Sequence, residues 1–255
     1  LATAVLLIFF LYLFNLFQKG IPYRFTGFFN NPNQLGYYSI CSFSLIYLLY
    51  RSSYIKYCYM IFFTIILIFF SISTMSKAAY ISLIVCAFFA IKPVNYKYSQ
   101  IIQMIIILSL VLLILVFFPQ VSESELVTRT IHMFSESDSS LSHRGYTVIF
   151  ESNPLQIIFG MGVKNVFKFH TYEIHSTFWM ILTSFGLIGF LIFLILIIFW
   201  VLDIKNSYGL RGVICVCVPS LLYGLTHNGV RFTMFWIMFA VTVSLSKKMI
   251  MPKKL

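Results

Sequence analysis

STFWMILTSFGLIGFLIFLILIIFW, Ser176 to Trp200, contains no charged residue and no regular alternation of apolar with polar side chains. It exceeds the ~20 apolar residues that carry a helix across a bilayer. Backbone in lipid must satisfy its own hydrogen bonds, and a continuous apolar run does so as a helix, whereas a barrel strand alternates. Ser176 or Thr177 can cap its start, which leaves His175 at the mouth of the helix.

The rest of the chain repeats that pattern. Of 255 residues, 60% are hydrophobic and 10% charged, against about a quarter charged in soluble domains; the mean hydropathy is +0.93. The expected fold is therefore all-α: a polytopic membrane helix bundle forming a single membrane domain over 1–255. Apolar runs mark eight candidate spans, at 2–17, 34–50, 57–74, 78–91, 101–118, 176–200, 212–226 and 232–246. The first residue, Leu1, lies in an apolar stretch with no methionine, basic leader or small-residue cleavage site. This predicts an N-terminal truncation with further spans before it.

The net charge of +11 does not make this a nucleic-acid binder, because its Lys and Arg residues are scattered between spans and form no basic face. Cys41, Cys58, Cys86, Cys215 and Cys217 all sit in apolar runs. They read as packing residues rather than a disulfide framework or zinc site, and no metal or cofactor is expected.

The connectors divide by parity. Residues 51–56, 92–100, 201–211 and the tail are short and basic, with Asp203 as their only acid. The positive-inside rule assigns them to the cytoplasm. The opposite set comprises 18–33, the turn around SISTMSK, the long loop 119–175 and residues 227–231. That loop holds six of the seven acids: Glu123, Glu125, Glu136, Asp138, Glu151 and Glu173. Arg24, Lys77, Arg144, His175, His227 and Arg231 all fall on this external side. The spans lack mid-depth ionisable residues of the kind that proton-coupled pumps use.

Each candidate has an ordinary role and a chemical one. Arg24 can snorkel to lipid headgroups, or its planar fork can grip phosphate. Asn31-Pro32-Asn33 signals a helix start, with Asn31 as cap and Pro32 at the first helical position. Ser71, Ser73 and Ser76 suit a tight helical hairpin, beside Lys77 as a second cation. In the long loop the first half, 119–142, is Ser/Glu-rich and flexible. The second half reads as structured, with a helix over 144–152 ended by Asn153-Pro154 and a close turn at Gly160-Met161-Gly162. His175 can simply cap its helix; alternatively, the positive end of the dipole keeps it neutral and able to accept a proton. Gly186 and Gly189 are expected to serve helix packing.

Four pieces in order, RFTGFFNNPNQLG (24–36), SISTMSKAA (71–79), HRGYTVIFESNPLQIIFGMG (143–162) and EIHSTFWMILTSFGLIGF (173–190), resemble the O-antigen ligase and polysaccharide polymerase family of bacterial membrane glycosyltransferases. Lys77 stands where that family commonly has Arg. The resemblance implies a plasma-membrane enzyme with its active site on the external or periplasmic side. Its donor would be an undecaprenyl-diphosphate-linked glycan, and its acceptor a glycan or lipid. Arg24 and Arg144 would hold the diphosphate, His175 would serve the acceptor hydroxyl, and Lys77, Asn31, Arg231 and His227 would line the substrate site. Membrane lipids and a chain-length regulator protein are the implied partners. Polymerase and ligase readings both remain open, as does a non-catalytic lipid-glycan flippase or transporter.

Overall fold

The computed structural model describes residues 6, 24–74, 76–90, 145–169 and 173–250. The expected spans 2–17 (apart from Leu6) and 101–118, the first half of the long loop, and Arg144 lie outside the described residues. Within them the chain is helical: α1 Pro32–Arg51, α2 Tyr57–Ser73, α3 Lys77–Ala90, α4 Pro154–Phe159, α5 Val163–Phe169, α6 Thr177–Thr226 and α7 Thr233–Ile250, with a 3-10 turn at Val148–Glu151. No strand is formed among the described residues.

Local chemistry explains the first helix. The Asn31 side chain accepts from the Asn33 N–H at 2.8 Å, and Pro32 occupies the opening turn, where a missing N–H costs nothing. At the far end Arg51 complements the negative pole of the dipole. The helix then turns over into α2. Beyond α2 the chain reverses tightly into α3, and the preceding loop is tied to that turn by Phe25 N–H donating to the Ser73 carbonyl at 3.0 Å. Gly36 permits α1 to approach this turn, since a Cβ there would lie 3.1 Å from Ala79 Cβ.

The largest departure from expectation concerns residues 176–226. Two spans joined by a connector at 201–211 were expected; the structure has separate helical limbs here, grouped as α6, that meet at breaks at Gly186 and Gly209 with no loop between them. A straight helix of 50 residues would be ~75 Å long, yet the Thr177 N–H reaches the His227 carbonyl at 3.2 Å. The path must therefore fold back, and it does so at glycines. Gly186 (φ 68°, ψ −171°) and Gly209 (φ 71°, ψ −173°) leave helical geometry, in a region that only glycine occupies readily. The connector is thus compressed into a break at Gly209, with its polar residues Asp203, Lys205 and Arg211 carried on helix.

The return limb after Gly209 lies antiparallel to α1. Ser52 Oγ meets Tyr208 OH at 2.9 Å, Ser44 Oγ donates to the Cys215 carbonyl at 3.2 Å, and Tyr223 OH donates to the Asn33 carbonyl at 2.8 Å. The Ser44 contact has a specific cause. Pro219 lies inside the limb and has no N–H for the carbonyl four residues earlier, which is that of Cys215. Ser44 compensates. Ser44→Ala should therefore destabilise the protein by ~1 kcal/mol, within the range for buried carbonyls left unpaired. A thermal melt in detergent checks this, with Ser39→Ala, whose hydroxyl bonds only within α1, as the control.

The outgoing limb packs on α7. Trp200 Nε1 donates to Thr242 Oγ1 at 2.9 Å, and Ser207 Oγ donates to the Ser246 carbonyl at 3.2 Å, so the two run parallel. Two ends of the bundle result. One gathers Arg24, the α2–α3 turn, His175, His227 and Arg231; the other gathers Arg51, Lys205, Arg211, Lys247 and Lys248. Among the described residues α6 is the helix long and apolar enough to cross a membrane. Only 22% of its most apolar window is buried within the protein, so it presents its greasy surface outward. This supports membrane association. Four cysteines are buried as expected, but Cys58 is exposed.

Candidate functional site

The His175 end is built by cross-links between segments distant in sequence. Arg24 bridges two of them: its Nε donates to the Thr74 carbonyl at 2.8 Å, and its Nη2 donates to Asn33 Oδ1 at 2.9 Å. Asn33 carries the chain onward, because its carbonyl accepts from Tyr223 OH. The Tyr223 ring stacks on His227 with centroids 4.7 Å apart, and the His227 ring lies 6.4 Å from that of His175. Four contacts thus connect Arg24 to His175. Tyr37 and Tyr223, each 1% exposed, form the apolar floor beneath this chain, their rings 4.6 Å apart.

The start of α6 is latched to its own end. Ser176 is the cap, accepting from Trp179 N–H, and its hydroxyl donates to the Gly224 carbonyl at 3.2 Å. Thr177 Oγ1 accepts from the Gly229 N–H at 2.9 Å. His175 therefore sits, exposed, at the positive pole of a helix dipole whose first residues are hydrogen-bonded to residues 224 and 229. Its carbonyl accepts from Tyr146 OH at 2.9 Å, and Tyr146 in turn stacks on Trp179. The loop segment that follows Arg144 in the chain thereby docks on the backbone of His175. Phe178 meets Phe193 at 6.1 Å. The opening turn of α6 is accordingly level with Phe193, about 10 Å along the helix axis from the apex at Gly186.

The long loop differs from expectation. The 144–152 helix is instead a turn followed by the 3-10 segment Val148–Glu151. Asn153-Pro154 begins a helix rather than ending one: Asn153 Oδ1 accepts from Gln156 N–H at 2.9 Å, while Gln156 Oε1 accepts from Asn153 N–H at 3.1 Å. Such a reciprocal box is a start signal. The glycine turn is as close as expected, and its partner is the break in α6. Met161 N–H donates to the Thr183 carbonyl at 3.0 Å and Gly162 N–H to that of Ser184 at 2.9 Å. These are carbonyls that the interruption at Gly186 deprives of helical partners.

The remaining candidates fall as follows. Asn31 is exposed and acts as the α1 cap; its neighbour Asn33 makes the contact to Arg24. Lys77 opens α3. Arg231 pairs with Glu173, whose other carboxylate oxygen accepts from Asn228 Nδ2. Partial burial draws Arg231 below the usual guanidinium range, though not far enough to discharge it. Among the described residues no three His, Cys, Asp or Glu side chains gather as a metal-binding group.

Asn33, Tyr223 and Glu173 were not anticipated as site residues. A tyrosine hydroxyl inside an apolar run needs a partner when buried, which is the signal Tyr223 offered. Glu173 lay hidden among the loop's other acids. No protein-family model, curated protein or solved structure matches this chain. Chemically, the arrangement offers a fixed guanidinium, two imidazoles and a second guanidinium around one end of an apolar bundle.

Proposed function

We propose that this chain is a membrane glycosyltransferase of eight spans that joins undecaprenyl-diphosphate-linked oligosaccharide units into O-antigen, capsule or exopolysaccharide. The observation that carries the proposal is the contact path from Arg24 through Asn33, Tyr223 and His227 to His175. It brings Arg24 and His175, 151 positions apart in the sequence, to one pole of the bundle, which supports a shared role for them. The basic residues at the other pole favour a cytoplasmic placement for it by the positive-inside rule, and in this reading the site faces outward.

In this reading the acceptor hydroxyl oxygen attacks the anomeric carbon and the bond to the diphosphate oxygen breaks. The hydroxyl proton passes to His175, and the electron pair of the broken bond leaves on the diphosphate. Attack from the face opposite the leaving group inverts the anomeric centre. Arg24 and, by the motif resemblance, Arg144 stabilise the charge that grows on the leaving group, in a setting whose low dielectric strengthens each contact.

The test is purified protein with a lipid-linked oligosaccharide. Longer glycans together with free undecaprenyl diphosphate support the proposal; glycan moved onto lipid A core instead would make it a ligase with the same donor chemistry. Binding or translocation without bond formation would overturn the enzymatic reading. His175→Ala should lower turnover by ~100- to 10,000-fold, the usual share of a general base. Donor binding should be unchanged, as judged by co-purified lipid.

A further inference from the structure

The second half of the long loop is fastened to α6 by backbone rather than by side chains. The Met161 and Gly162 N–H groups donate to the Thr183 and Ser184 carbonyls, and a Cβ on Gly160 or Gly186 would overlap backbone of the facing segment. The side chains of α4 are left outside this contact. None of its residues is buried, yet Leu155, Ile157, Ile158 and Phe159 make up most of the helix, with Leu155 67% and Phe159 65% exposed. By contrast, α5 is two-sided. Val163 and Phe167 are exposed one turn apart, Lys164 and Lys168 are exposed beside them, and Val166 is buried against the protein; residues four apart share a helix face.

A contiguous apolar surface marks either a protein partner or a membrane, and depth selects between them. The outgoing limb of α6 runs 19 positions from Gly186 to Lys205, a rise of ~29 Å. Lys247 of α7 stands level with Lys205, since each lies five positions beyond the bonded pair Trp200 and Thr242 and the two helices run parallel. With these lysines at the inner edge of a hydrocarbon layer about 30 Å thick, the apex at Gly186 reaches the outer edge and no farther. Between the two levels Leu187, Ile188, Leu191 and Ile195 are exposed, an apolar surface that continues into α4 at the apex. Lipid that bathes the one meets the other.

We propose that residues 154–168 form an anchor lying in the outer boundary of the bilayer, with Leu155, Phe159, Val163 and Phe167 among acyl chains and Lys164 and Lys168 directed to headgroup phosphates. Resting on α6 crossing the membrane, as in the function put forward above, this places in lipid a stretch that span parity alone would leave in water. The anchor reaches the candidate site, because Tyr146 on the same loop bonds the His175 carbonyl, and Val148, Met161 and Val166 share an apolar cluster with Met180 of α6. The lipid surface thereby holds the segment that braces His175.

Full-length protein in phosphatidylcholine liposomes tests this by spin labelling, in a Cys58→Ser background that removes the exposed thiol among the described residues. Nitroxide is attached to Leu155→Cys, Phe159→Cys, Lys168→Cys and Ile198→Cys, the last an exposed position near the middle of the outgoing limb. Collision with oxygen, which concentrates in hydrocarbon, is compared with collision with a water-soluble nickel chelate. Labels replacing Leu155 and Phe159 should favour oxygen, like the label replacing Ile198, whereas the label replacing Lys168 should favour nickel. Nickel preference at Leu155 and Phe159 with oxygen preference at Ile198 overturns the anchor and leaves the span standing. Slow collision with both reagents at Leu155 and Phe159 also overturns it, because protein, such as a second copy of this chain, is then the cover. Oxygen preference at Lys168 overturns the boundary placement in favour of full immersion. Nickel preference at Ile198 removes the span and the anchor with it. None of these readouts requires glycan transfer, so a failed transfer assay leaves them unaffected.

Discussion

Replacing Arg24 by lysine is expected to reduce glycan transfer by about 100- to 1,000-fold, the usual loss when one fixed donor to a developing anion is removed. The charge survives this substitution, so the loss would come from geometry. Guanidinium holds the Thr74 carbonyl through Nε and the Asn33 amide through Nη2, two contacts in fixed planar relation, and these aim the group. An ammonium has no such plane and is free to swing on four methylenes. The fold should persist, because α1 keeps its Asn31 cap and its contacts with α3 and α6. Donor-dependent turnover and a thermal melt on the same preparation separate the two effects. Wild-type turnover in Arg24→Lys would remove Arg24 from the site, whereas a collapsed melt would make it a structural staple.

Gly186→Ala should have the largest effect on folding, more than ~4 kcal/mol, a loss that identifiable backbone mechanisms can produce. Its φ of 68° with extended ψ is hostile to any side chain. A Cβ there would also overlap the Ile158 carbonyl, just as one on Gly160 would overlap that of Ser184. Both obstacles are backbone, so no rotamer change relieves them. The loop would separate from α6 and withdraw its two N–H donors from the Thr183 and Ser184 carbonyls. Poor yield of monodisperse protein and enhanced proteolysis within 150–170 are the expected readouts. Gly209→Ala is the comparison: it shares the positive φ, but a Cβ there would meet nothing within 4 Å, so it should show the backbone strain without the overlap.

How much of this was written in the sequence depends on how local the cause is. The bounds of α1, α2 and α3 lie within two residues of the apolar runs, because Asn31-Pro32, the Lys56 turn and the serine cluster act on their immediate neighbours. Gly186 shows the limit. Its spacing to Gly189 suits helix packing, and nothing nearby distinguishes that role from a break. The deciding partner, residues 158–162, lies more than twenty positions away and meets it through backbone, which has no sequence signature. The same holds for the site. The gathering of cations and histidines at one end was expected from the parity of the apolar runs. The links between them did not: Asn33 looked like a cap neighbour and Tyr223 like one more aromatic in a greasy run. Asn153-Pro154 was ambiguous in a simpler way, since it suits either end of a helix until Gln156 is seen to reach back.

The bond from Tyr223 to Asn33 joins residues 190 positions apart. At translation rates of about 5–20 residues per second, the second partner emerges roughly 10–40 s after the first. Throughout that interval the early helices exist without the partner that ties this end of the bundle together. The contact path from Arg24 to His175 is thus completed only by the later helices, and a chain that stalls before Tyr223 cannot form it.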